Sequence, residues 1–211
     1  MKRFVIAVTR TCGSGGTTVA KLLAERFGVK MYNREILNLA SEESGFSEAL
    51  FLEAEEKIKP PRLFQKVSES ARSGEFVPNN MDAFSPDNLF NYQAMMLKRM
   101  AQNESYVVVG RAAYHVLRNL PQMMSVFFSA SHEKCVARIM EMFGMSAAEA
   151  EKHIEKENKH RKKYYLYHTG KQWEAPENYN LCLRTDLLGY EGCADLIEYY
   201  LKKRGDLLDS R

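Results

Sequence analysis

Glycine and hydroxyl side chains crowd one short stretch, Arg10, Thr11, Cys12, Gly13, Ser14, Gly15, Gly16, Thr17 and Thr18. Such a run suits an anion. Small residues let backbone N–H groups close on a phosphate, and a helix N-terminus behind them adds a favourable dipole. Against the phosphate-loop pattern G-x-x-x-x-G-K-[ST], Gly15 takes the second glycine and Thr17 the hydroxyl that holds Mg²⁺. Arg10 stands where the first glycine belongs, and Gly16 where the lysine belongs. That lysine is the point charge that reaches the β- and γ-phosphates, so the positive charge here has to come from elsewhere. A dinucleotide fingerprint fits worse. Its third glycine would fall on Thr18, and the acidic residue expected about 20 positions on is Asn33. A tight strand-to-helix turn without a ligand is the plain alternative.

The flanking elements must position this loop. The apolar run Phe4, Val5, Ile6, Ala7, Val8 predicts a strand over 4–9, and Val19, Leu22, Leu23 and Phe27 predict a helix over about 16–27, closed by Gly28. A strand Lys30–Asn33 and a helix over 34–44 follow, then a helical stretch over 47–59 with Glu53, Glu55 and Glu56 exposed. Residues 60–86 are broken by prolines and Gly74, yet Phe64, Phe76 and Phe84 argue for a folded insertion. Next come a helix over 87–103, a strand Tyr106–Gly110, a helix over 112–119 and a strand Met124–Ala130. Ser131 reads as the N-cap of a helix running to Phe143. From Ser146 to about His168 a helix is polar nearly all round, with Ile154 isolated, so it faces solvent or swings over a site. A strand Asn180–Arg184 and a helix with Cys193, Leu196, Ile197 and Tyr200 on one face finish the chain. Strands alternating with helices predict an α/β fold, a parallel sheet of about five strands covered on both faces.

The chain has 211 residues, enough for one domain (1–211) with a full core. Its net charge of +3 suits a small anionic ligand but does not argue for nucleic acid. The basic segment 156–163 is interrupted by Glu157 and lacks an RNA-recognition signature, so no nucleic-acid partner is expected. Cys12, Cys135, Cys182 and Cys193 have no paired spacing, which predicts free thiols and a reducing, cytoplasmic setting. No apolar run is long enough to predict a membrane span.

Several short motifs fall in a telling order. They are Thr9-Arg10 ahead of Gly13 to Gly16; Tyr32, Asn33, Arg34, Glu35, Ile36 and Leu37; Val109, Gly110 and Arg111; Ser129-Ala130 before a helix carrying Arg138; Arg161 with Tyr164 and Tyr165; and Tyr179, Asn180, Leu181 with Thr185 and Asp186. Together they resemble the cytidylate kinase-like family, a branch of the P-loop nucleoside-monophosphate kinases, over nearly the whole chain. The resemblance implies a P-loop three-layer fold. An acceptor-binding, partly inserted helical region covers about 34–103 and a helical lid about 146–172.

It also implies phosphoryl transfer from ATP with Mg²⁺ to a nucleoside monophosphate, cytidylate (CMP or dCMP) above all. Gly13, Ser14, Gly15, Gly16, Thr17 and Thr18 would bind the nucleotide, with Thr17 on the metal. Arg10, Arg111 and Arg161 would supply charge for the transfer, because guanidinium forks match phosphate oxygens. Arg34, Arg111 and Lys162 would meet the acceptor. Arg138 reads as a solvated helix residue, and Asp186 as a helix N-terminal acid. Asn33 and Asn158 stand where the family has aspartates, and Cys135 where it often has an arginine. Arg184 replaces a polar uncharged residue. A non-catalytic nucleotide- or anion-binding protein on the same fold therefore stays open beside the kinase.

Overall fold

In the computed structural model, which describes residues 3–57, 75–78 and 84–206, alternation along the first strand sets the layers. Strand β1 (Val5–Arg10) sends Val5 and Ala7 to one face, and Ile6 and Val8, with Phe4 just before it, to the other. It is followed by α1 (Gly16–Phe27), β2 (Lys30–Tyr32), α2 (Glu35–Ser44), α3 (Glu48–Lys57), α4 (Pro86–Asn103), β3 (Tyr106–Val109) and α5 (Ala113–Leu117). Then come β4 (Met123–Ser129), α6 (His132–Phe143), α7 (Ala147–Thr169), a 3₁₀ turn (Pro176–Asn178), β5 (Leu181–Arg184) and α8 (Thr185–Arg204).

The five strands run parallel in the order β2-β3-β1-β4-β5. After β1 the chain moves to one side of the sheet; after β3 it crosses to the other. The connections therefore diverge at the carboxyl end of β1, which opens a crevice where open α/β sheets bind their ligands. Strands β1 and β3 both end there, and the segments that leave them begin there.

One face is covered by α1 and α8, which bury Val19, Leu23, Cys193, Ala194, Ile197 and Leu201 against Ile6, Val8, Val126 and Phe128. The other carries α4, α5 and aromatic residues of α7 and beyond, with Phe90, Leu97, Tyr164, Tyr165 and Trp173 around Val5, Ala7 and Val108. The buried stripe of α8 runs 193, 194, 197 and 201, so Leu196, expected on it, lies exposed. Gly189 breaks that helix at φ 70°, ψ 175°.

Two other expectations change. Ile154 is not isolated: Ala150 and Ile154 bury against Cys12, Cys135, Val136 and Ile139, which ties α7 to α6 and to the glycine loop. Glu55 is not solvent-facing, because α3 turns it inward. Most of the insertion expected over 60–86, Phe64 included, lies outside the described residues; Phe76 is buried and Phe84 exposed. Among the described residues, no helix is long and apolar enough to cross a membrane.

Candidate functional site

The glycine loop is bent by Gly13 and Gly15, at φ 75° and 78°. Gly15 caps α1, and the helical ladder starts where the Val19 N–H donates to Gly15 O at 3.1 Å. The N–H groups of Gly16, Thr17 and Thr18 in the first turn therefore have no intrahelical acceptor. Three side chains hold the loop's carbonyls from outside. Arg138 donates to Gly13 O at 3.2 Å, the Thr185 hydroxyl to Ser14 O, and Arg161 to Arg10 O at 3.1 Å. Asn158 Oδ1 accepts the Cys12 N–H at 2.8 Å. With its carbonyls tied back, the loop offers its N–H side to an anion.

No glycine in this loop tolerates a side chain. A Cβ on Gly13 would lie 2.6 Å from Cys135 O, and one on Gly15 2.5 Å from the Tyr190 ring. A Cβ on Gly16 would lie 2.6 Å from Arg10 Cβ and 2.9 Å from Phe128 Cβ. The missing lysine thus has a steric cause: Arg10 crosses the space its stem would need. At its far end Arg10 reaches the β3 turn, where a Cβ on Gly110 would sit 2.9 Å from Arg10 Nη1.

Arg10 separates two cavities. On one side a cleft of about 700 Å³ is lined by the loop from Arg10 to Thr18 (Ser14 excepted), with Arg34, Arg138, Met142, Phe143, Glu157, Arg161 and Tyr190. On the other a smaller cavity, about 120 Å³, is lined by Arg10, Asn33, Glu55, Gly110, Arg111 and Arg161, with Tyr164, Tyr165 and Trp173. Arg10 and Arg161 line both. Burial, then the nearby Arg161 and Arg111 guanidiniums, hold the Arg10 pKa down to about 9. Buried positive charge crowded in this way is relieved by an anion.

Arg111 enters the small cavity from a left-handed turn. Gly110, Arg111 and Ala112 have φ 81°, 58° and 47°. Residues with a Cβ hold such angles only where their surroundings impose them, which is common at functional sites. Arg111 pairs with Glu55. Burial raises the Glu55 pKa, against the opposing pull of Arg111, a hydrogen bond from Gln93 and the charge of Arg34.

The structure thus brings together Arg10, Arg111 and Arg161, and sets Gly13, Gly15, Gly16, Thr17 and Thr18 along the cleft. Ser14 stays behind the loop, fully buried, with its hydroxyl donating to Thr11 O at 2.9 Å. Arg34 is exposed and lines the large cleft, while Lys162 lines neither cavity and pairs with Glu174 at 2.8 Å. Arg138, expected to be solvated, instead grips the loop and stacks over Tyr190, 5.1 Å from the ring centre. Its place in the motif order was the signal. Asn158 keeps the loop bond through an acceptor oxygen, so at this position the amide serves. Arg184 pairs with Asp186 at 2.6 Å and, as the chief cause, lowers that carboxyl to about 2. Asp186 in turn accepts the Ser131 N–H at 3.2 Å, linking the ends of β4 and β5. Glu55 and Gln93 had no sequence signal.

No curated protein sequence matches the chain. Among solved structures, an uncharacterized protein from Eubacterium ventriosum ATCC 27560 is similar at TM-score 0.70 and 24% identity, over 95% of this chain and 99% of that one. A shikimate kinase from Bacteroides thetaiotaomicron aligns at TM-score 0.51 and 14% identity, over 94% and 98%. The protein TT1252 from Thermus thermophilus aligns at TM-score 0.50 and 17% identity, over 96% and 98%. At these identities the likeness is one of fold, the kinase fold of parallel sheet and surrounding helices. Residues 5–187 match the family model itself. A glycine loop at the carboxyl end of β1, arginines gathered beside it and this match lead to one assignment: the chain belongs to the cytidylate kinase-like family, with a kinase-type, nucleotide-binding role.

Proposed function

We propose that this protein transfers the γ-phosphoryl group of ATP to the phosphate of a nucleoside monophosphate, with cytidylate (CMP or dCMP) as the first acceptor to test. One observation carries the reading. Two cavities, one against the glycine loop and one against Arg111, share Arg10 and Arg161 as their common wall. A phosphoryl group passing from a donor in the first to an acceptor in the second would cross between those two guanidiniums.

Phosphoryl transfer needs positioning and charge stabilisation more than covalent help. In this reading the N–H groups of Gly13 and Gly15 to Thr18 hold the donor phosphates, and Ser14 shapes the loop from behind. Arg10 takes over from the loop lysine. Arg161 approaches from α7, which with its flanks (146–172) acts as the lid. Arg111 binds the acceptor phosphate, and Arg34 stands at the rim of the donor cleft. The products are ADP and a nucleoside diphosphate.

The donor set fits Mg²⁺. Thr17 offers a hydroxyl and Glu157 a carboxylate on the same cleft, and Mg²⁺ bound beside nucleotide phosphates takes only one or two protein oxygens. The metal's part is to neutralise charge on the phosphates. A coupled assay of purified protein with ATP, Mg²⁺ and a panel of monophosphates tests the proposal. Turnover with CMP or dCMP supports it. ATP binding without turnover on any acceptor sinks it and leaves the non-catalytic binding reading.

A further inference from the structure

Among the described residues lining the small cavity, three arginines face a single carboxylate, and that carboxylate already sits on one of them. Glu55 comes from α3 and Arg111 from the turn after β3, yet they pair with side chains only 14% and 10% exposed. Helix α3 is seated through Phe51 and Ala54 against Leu37, Ala40, Leu89 and Met96. It can stay in place while the Glu55 side chain turns. The left-handed turn fixes the point from which the Arg111 side chain leaves the backbone, at the wall of the cavity.

We infer that Glu55 is the resident ligand of an anion subsite: its carboxylate occupies Arg111 in the empty protein, and a phosphomonoester acceptor binds by displacing it. The identity of the acceptor rests on the kinase reading above; the exchange itself does not. Carboxylate and phosphate present similar oxygens to a guanidinium. A buried arginine without a counter-charge is costly, so Glu55 serves while no acceptor is bound, and Gln93 remains beside it as a hydrogen-bonding partner. The exchange also selects. A dianionic phosphate can compete with a buried carboxylate, whereas a neutral polyol cannot. The apparent affinity is lowered by the fraction of molecules in which Arg111 is engaged.

Trp173, the single tryptophan of the chain, lines this cavity and reports on it by fluorescence. The probe is sulfate, a dianion whose charge is constant near neutral pH. In Glu55→Gln the apparent sulfate Kd read at Trp173 is expected to fall about tenfold or more, and Arg111→Ala is expected to abolish the response. Thermal unfolding establishes that each variant folds; Glu55→Ala replaces Glu55→Gln if the latter does not. A crystal structure from sulfate should show the anion on Arg111 and Glu55 turned away. An unchanged or weaker affinity in the Glu55 variant, a full response in Arg111→Ala, or sulfate seated beside an intact Arg111–Glu55 pair would overturn the inference. ATP binding, measured on the same samples, separates the two claims. Sulfate exchange without ATP binding removes the kinase reading alone, and ATP binding without exchange removes this inference alone.

Discussion

The cleft beside the glycine loop and the cavity beside Arg111 meet at Arg10, yet they are made of different material. The cleft, about 700 Å³, rests on the backbone of one continuous segment, residues 10–18. The cavity, about 120 Å³, is walled by residues from β1, the β2–α2 turn, α3, the β3 turn and α7, with Trp173 beyond. A backbone-built site accepts changes in neighbouring side chains but no added Cβ. A side-chain-built site tolerates small changes in shape but not the loss of a charge. Each kind of wall therefore has its own way to fail, and the residues shared by both should fail most severely.

The shared wall is where the largest effect is expected. Arg10→Ala or Arg161→Ala should lower turnover by on the order of 10³-fold while ATP affinity stays within about tenfold, because the charge matters most in the transition state. Steady-state kinetics beside calorimetric ATP titration checks this. Equal losses in rate and affinity would mean that these arginines belong to the cleft alone.

Next in size is an acid effect on the side-chain-built half. Behind Tyr164, His168 stacks on Phe90 with ring centres 4.0 Å apart, and His115 meets Phe76 edge-on. Burial lowers His115 to about 4 and His168 to about 3. The unfolded histidines take protons first, near pH 6.5, so stability is full above that pH and is lost as pH falls toward about 4. The slope is up to about 1.4 kcal/mol per pH unit for each histidine. Urea unfolding between pH 7 and 4.5 measures it. His115→Gln should remove about half of that slope, and an unchanged slope would clear this pair of the effect.

Gly16→Ala tests the backbone-built half. With its Cβ 2.6 Å from Arg10 Cβ, the variant should lose about 1–3 kcal/mol by overpacking. Gly16→Lys, which restores the usual motif in sequence, should bind ATP more weakly than the native protein, as titration would show. A gain in affinity would mean that Arg10 yields, and that the two halves are less tightly joined than the geometry indicates.

The smallest effect belongs to the link between α7 and the loop. Asn158→Ala removes the acceptor for the Cys12 N–H and should cost about 1 kcal/mol. Asn158→Asp keeps an acceptor oxygen and should cost less in the same urea titration. Equal costs would assign the effect to packing rather than to the hydrogen bond.

The sequence by itself determined the described elements, the parallel α/β class and the glycine loop between β1 and α1, because each depends on near neighbours. Alternating apolar residues make β1, glycines admit positive φ, and an amphipathic period makes α1. It also marked Arg10, Arg111 and Arg161 through the order of short motifs. The tertiary structure alone decided what these residues meet. Glu55 looked like one of three surface carboxylates, and only the seating of α3 on α2 and α4 turns it toward Arg111, 56 residues away. Arg138 looked solvated until α6 settled against Gly13, and Ile154 looked isolated until α7 closed over Cys12 and Cys135. Lys162, one residue from Arg161, lies outside both cavities and reaches Glu174 instead. Spacing along a chain fixes which residues share a face; which face meets which is set by the packing of helices distant in sequence.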